Sequence, residues 1–180
     1  MRKIATVMAS VAVALGVMGC ADNPGPSKTE SPASAIPGRI AQVLGASVAA
    51  SEARAIAEAK PTLAAGDKGT LKGKVMGTMH PFVEGRAAVL IGDESTLQSC
   101  DLMPDNHCHS PWDACCEAPQ ALQAGTATIQ VVDADGEVVK HGLKGVKGMR
   151  ELSRMRVSGT VVSGGPEAPL VVNAEAIELL

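Results

Sequence analysis

From residue 66 onward, apolar and polar side chains alternate with a period of two, the signature of strands with one buried face. In Thr70-Leu71-Lys72-Gly73-Lys74-Val75 the alternation puts Leu71, Gly73 and Val75 on one face and Thr70, Lys72 and Lys74 on the other. Residues 86–93 (RAAVLIGD) are apolar more continuously and predict a more fully buried strand. Residues 127–132 alternate again, and Asp135-Gly136 then predicts a hairpin turn into Glu137-Val138-Val139. Residues 154–162 turn Met155, Val157, Gly159 and Val161 inward. Ser163-Gly164-Gly165-Pro166 makes the next turn, and residues 170–179 form a last strand. Upstream the period changes. Ile40, Val43 and Leu44 fall at helical spacing, residues 51–59 favour a helix with little apolar content, and Pro61 ends it. This predicts one or two short, weakly held helices serving as a spacer.

Five or six short strands in about 115 residues, with glycines inside two of them, predict a small closed all-β barrel, because interior glycines permit tight coiling. The opening GTLKGKV, the strand after Gly85 and the closing pair MRVSGTVV and LVVNAEAIEL together resemble an OB-fold over most of residues 68–179. The resemblance implies a helix between the third and fourth barrel strands, for which only residues 146–152 are available. A small sandwich is the alternative. The expected organisation is a leader at 1–19, a linker at 20–38 carrying Pro24, Pro26, Pro32 and Pro37, a short helical spacer at 39–65, and an OB-like barrel at 66–180 with an insertion at 98–120.

Met1-Arg2-Lys3, an uncharged Ala- and Val-rich run and Val17-Met18-Gly19-Cys20 have the layout of a secretory signal. The apolar run, roughly 15 residues, is shorter than a membrane span needs. Gly19-Cys20 resembles the bacterial lipobox. The resemblance implies cleavage before Cys20, a diacylglycerol on its sulfur and a palmitate-type chain on its new amino group, hence a lipid anchor in the cell envelope. Ala21 follows Cys20, where an Asp would imply inner-membrane retention, so the outer membrane is expected in a host with two membranes. Loss of Arg2 and Lys3 with the leader moves the formal charge from −3 to −5 (14 basic against 19 acidic residues). A mildly acidic body does not suit a general nucleic-acid binder.

Chemistry concentrates in residues 100–117, CDLMPDNHCHSPWDACCE, with four of the five cysteines and the only tryptophan. Ser110-Pro111-Trp112-Asp113 reads as a helix start with Ser110 as cap, and Pro119 as its stop. On that helix Cys115 and Cys116 point about 100° apart, which argues against a bond between them. With Cys20 lipidated, Cys100, Cys108, Cys115 and Cys116 form an even, exported set that favours two disulfides. Each would join Cys100 or Cys108 to one of the other two, closing loops of roughly 8 to 17 residues worth ~2–3 kcal/mol apiece. The alternative is a copper or zinc site drawn from Met103, His107, Cys108, His109, Cys115 and Cys116, all soft or borderline ligands. A second soft cluster, Met76, Met79 and His80, lies after the first barrel strand. Periplasmic copper carriers that resemble OB barrels use such residue types, a likeness of architecture only.

Lys140, Lys144, Lys147, Arg150, Arg154 and Arg156 form a basic strip facing only Glu151 in the sequence, a candidate seat for an anionic ligand or nucleic acid. One Phe, one Trp and no Tyr leave no platform for stacking bases, which argues against nucleic acid. No nucleophile motif surrounds Ser95, Ser99 or Ser110, and no C-x-x-C is present, so an enzyme is not expected. The segment CxxxxxxxC-x-x-Pro-Trp-Asp-x-Cys-Cys, with HPFVEGRA, TIQVVDADG and LKGVKG, resembles an uncharacterised family of bacterial lipoproteins over residues 66–178. These readings lead to a non-enzymatic envelope lipoprotein, a binding or scaffolding module with no cofactor. Its expected partners are the membrane through Cys20 and an envelope protein or anionic ligand.

Overall fold

The computed structural model describes residues 35–103 and 108–180. The leader, Cys20, linker residues 20–34 and His107 lie outside the described residues. Six strands form, in chain order β1 (Arg54–Ala55), β2 (Lys68–Lys74), β3 (Ala88–Gly92), β4 (Thr126–Gln130), β5 (Arg154–Ser163) and β6 (Leu170–Leu179). The sheet runs β1-β2-β3-β4-β6-β5, and β2 also pairs with β5. That second pairing closes β2, β3, β4, β6 and β5 into a barrel with β1 as an extra strand. The β4–β6 pair is parallel and the other barrel pairs are antiparallel. This is the OB-like all-β barrel that the alternating pattern predicts.

Closure depends on β2 and β5, which pair continuously from Lys68 opposite Thr160 to Lys74 opposite Arg154. On the other edge of β2, β3 meets it only at Lys74 opposite Gly92, while β1 pairs in parallel with Leu71 and Lys72. β1 therefore covers backbone that β3 does not reach and that would otherwise be an open edge. The alternation holds: Leu71, Val75, Met155, Val157 and Val161 all enter the core. Lys74 departs from it, being buried with its Nζ donating to Ser99 Oγ at 2.8 Å.

The stretch expected to be a loose spacer is part of the core. Helices α1 (Gly38–Val43) and α2 (Ile56–Ala59) contribute Ile40, Val43, Ile56 and Ala59 to the same apolar cluster as the barrel, joined by Leu44 and Leu63. Residues 35–180 form one compact unit. Buried Asp93 fastens α2 by accepting the Ala57 N–H at 2.9 Å. Buried Lys60 donates to the Gln123 carbonyl near the end of α3 (Pro119–Gly125), where the helix dipole favours a cation. Burial, partly offset by Glu167, lowers the pKa of that ammonium.

Two helix expectations are corrected. Pro119 starts a helix rather than stopping one: proline suits the first turn and forces the preceding Ala118 to ψ 142°. Residues 110–117 instead make two turns, closed by Asp113 N–H to Ser110 O (2.9 Å) and Glu117 N–H to Ala114 O (3.0 Å). Ser at the first and Pro at the second position suit a type I turn as well as a helix start. Between β4 and β5, residues 146–152 hold only a 3₁₀ turn, Val146–Gly148. Left-handed Gly145 and Gly148 (φ 86° and 81°) block a longer helix. Gly142, Gly145 and Gly148 recur every third residue, and the residues that follow each of them, Leu143, Val146 and Met149, enter the core, so the glycines mark turns between apolar contacts. The Asp135-Gly136 turn forms, but its second arm is a single bridge, Val132 to Val138.

Gly159 is where coiling is tightest. A Cβ there would lie 2.2 Å from the Asn173 carbonyl oxygen, beside a register shift in the β5–β6 pair. Gly159→Ala is expected to destabilise the protein by about 2 kcal/mol or more, since backbone rather than a flexible side chain must yield. Gly38→Ala, with open space around it, should change stability by less than about 0.5 kcal/mol. Urea unfolding midpoints of the two variants check this.

Candidate functional site

The insertion is folded on itself largely by its backbone. Cys100 N–H donates to Asp113 O and Asp101 N–H to Pro111 O, both at 2.8 Å, so the 3₁₀ turn Cys100–Leu102 lies alongside residues 111–113. Gln98 N–H donates to Glu117 Oε1 at 2.8 Å, fixing the far end of the second turn. Trp112 then ties the insertion to the loop after β2. Its carbonyl accepts from Gly77 N–H at 3.0 Å, and its Nε1–H donates to Met79 O at 2.9 Å. That loop folds back on β3, with Phe82 opposite Val89.

The two turns bring the cysteines together. Sγ of Cys115 is 3.2 Å from Cys108, 3.7 Å from Cys100 and 4.0 Å from Cys116. Sγ atoms of Cys100, Cys108 and Cys115 lie within 4.8 Å of one another. Cys100 is buried, Cys108 is half-buried, and Cys115 and Cys116 are exposed. Because Cys115 and Cys116 sit on a turn and not a helix, their side chains are not splayed. The helical ground for excluding a bond between them does not hold.

The thiols perturb one another. Thiol hydrogen bonds from Cys108 and then Cys100 draw the Cys115 pKa below the ordinary thiol range. Cys108, as donor to Cys115 and Cys100, is pushed up to about 12. Cys116 is raised by its hydrogen bond to Cys115 and by that neighbour's charge. Cys115 is the sulfur whose anion is best stabilised.

Beside this cluster lies a cleft of about 420 Å³, walled by Met79, Pro81, Phe82, Trp112 and Leu143, with His80 on its lining. Both aromatic residues of the chain thus meet in one place. The sequence separates them by 30 positions, and the Trp112 cross-tie brings the insertion to the β2–β3 loop. Of the second soft cluster, Met76 is in the interior, while Met79 is 53% exposed. Met103 follows the Cys100 turn, its N–H on Cys100 O at 3.2 Å. His109 is exposed.

Three of the six residues of the basic strip meet acids, while Lys140 and Arg150 are exposed. Arg154 makes a forked pair with Glu94 (2.8–3.0 Å), and Arg156 meets Glu178 at 3.0 Å. Lys144 meets Glu151 at 2.5 Å on the cleft rim, and Lys147 donates to the Leu44 carbonyl at 3.2 Å. Arg154 holds the Glu94 carboxyl below its usual range, with Lys74 adding to the effect. At Glu151, burial is the largest single effect and pushes the pKa up, but the Lys144 hydrogen bond, a backbone hydrogen bond and the Lys144 charge together outweigh it, and the net shift is downward. No described protein family, curated protein or solved structure matches the chain.

In reduced, metal-free protein, iodoacetamide should label Cys115 before the other accessible thiols, Cys116 and Cys108, as pH rises. A thiol held at about 12 is thiolate in only about one molecule in ten thousand at pH 8, and the thiolate is the nucleophile. Peptide mass spectrometry after brief alkylation reads the order. Preferential labelling of Cys108 would contradict it.

Proposed function

We propose that the chain is a lipid-anchored, non-enzymatic binding module of the cell envelope, and that it seats a small apolar ligand in the cleft between the β2–β3 loop and the cysteine insertion. The observation that carries this reading is the convergence of Phe82 and Trp112, the chain's only aromatics, on one apolar cleft. A core otherwise built from Val, Leu, Ile, Ala and Met has no need of a half-exposed tryptophan. Its volume falls within the ~300–1,000 Å³ usual for small-molecule sites. Trp112 is fixed by two hydrogen bonds, so little ordering entropy is lost when a ligand stacks on it. Lys144 and Glu151 supply a charged pair at the rim for a polar end of the ligand.

The lipobox at Cys20 supports the envelope location, in the outer membrane where the host has two. In this reading the cysteines clasp the insertion, whether as disulfides or through a bound ion, and so hold one wall of the cleft. Pairing of Lys144, Arg154 and Arg156 with acids makes a purely anionic ligand the weaker reading.

Anilinonaphthalene sulfonate, an aromatic probe with one polar end, should bind the folded protein. Trp112→Ala and Phe82→Ala should each weaken it by about tenfold, the scale of one lost aromatic contact. Val162→Ala, which removes an exposed apolar side chain outside the cleft, should leave the affinity unchanged. Fluorescence titration with circular dichroism as a folding control reads the result. Equal binding by all four proteins would sink the assignment.

A further inference from the structure

We propose that Cys100, Cys108 and Cys115 form a trigonal thiolate site for a soft closed-shell cation, with Cys116 as an optional fourth ligand. The inference is independent of the cleft reading, because it rests on sulfur positions alone. A disulfide joins two sulfurs exclusively, at about 2.05 Å, and turns them away from any third. In this insertion the sulfurs are shared: Cys115 stands 3.2, 3.7 and 4.0 Å from the other three. Thiolates bound to one ion at about 2.3 Å are separated by about 3.8 Å in a tetrahedral site. A trigonal site spreads them slightly more. The observed separations bracket these values, so one ion fits with small side-chain adjustments.

The frame is also in place before any ion arrives. Cys100 is buried and its N–H is bonded to Asp113 O, and Gln98 N–H holds Glu117 beyond the second turn. These bonds fix the two turns that carry Cys100 and Cys115, which lowers the ordering cost of binding. Three soft sulfurs without a carboxylate among them select a thiophilic ion rather than magnesium or calcium. Monovalent copper is satisfied by three thiolates. Zinc in a closed site requires four ligands and would recruit Cys116. Binding exchanges protons for the ion: each ligating thiol loses its proton to solvent as its sulfur bonds the metal, with no change of oxidation state.

The test uses the full chain exported through its own leader and purified without reductant or chelator. Native mass spectrometry should find one metal per chain with the four insertion cysteines unoxidised. Reduced protein is then titrated anaerobically with Cu(I) against bathocuproine disulfonate and, separately, with Zn(II) against pyridylazoresorcinol. Cys115→Ser should weaken binding of the cognate ion by more than about a hundredfold, since it removes a direct ligand rather than a supporting contact. His109→Ala should leave it unchanged. Cys116→Ser separates the two ions: Cu(I) affinity is retained, whereas Zn(II) affinity falls. Emission of Trp112, three residues before Cys115, should shift on loading and reports metal uptake without reference to any activity. A purified chain four hydrogens lighter than the reduced mass and free of metal overturns the proposal. So does equal affinity of wild type and Cys115→Ser for both ions.

Discussion

The β2–β5 ladder is the interaction on which the rest of the molecule depends. Without it β2 and β5 would be two open edges, and the apolar faces of Leu71, Met155 and Val157 would have no interior to enclose. Closing so small a sheet forces strands to coil past one another. Gly159 permits this by letting the Asn173 carbonyl come to where a Cβ would stand, directly beside the point where Gly69 and Gly159 face each other across the seam. Short apolar residues complete the closure. A core of Val, Leu, Ile, Ala and Met fills a narrow barrel without the aromatic bulk that a larger one would need.

Once the barrel is closed, its loops have fixed places. The β2–β3 loop returns along β3, and the insertion after β3 lies against it through Trp112. A hydrogen bond from an indole to a carbonyl is worth only about 1 kcal/mol. Its importance is positional. It sets the cleft wall and the start of the turn that presents Cys115, so the apolar site and the sulfur cluster are two products of one docking event.

Charge follows the same logic. Lys74 is buried against Ser99 and lies 3.7 Å from Glu94, which in turn forks onto Arg154. Arg154 and Arg156 become separate pairs because β5 lies near the loop after β3, which carries Glu94, and beside β6, which carries Glu178. The exposed pairs contribute little stability individually. They do neutralise Lys144, Arg154 and Arg156 locally, while Lys140 and Arg150 stay exposed.

The chain by itself determined the barrel strands and their inward faces, because period two is a local property that burial on one face imposes on any strand. It also determined the concentration of sulfur in residues 100–117. Turn chemistry was legible at Asp135-Gly136 for the same local reason. Tertiary structure decided the rest. Ser110-Pro111-Trp112-Asp113 serves a turn as readily as a helix start, and only the pairing of residues 100–101 with 111–113 selects the turn. The weak helices of residues 39–65 become core once the barrel offers Ile40 and Ile56 a surface. Phe82 and Trp112 meet, and three sulfurs converge, through contacts between segments far apart in the chain. No pattern along the sequence encodes such distances; they follow from barrel closure.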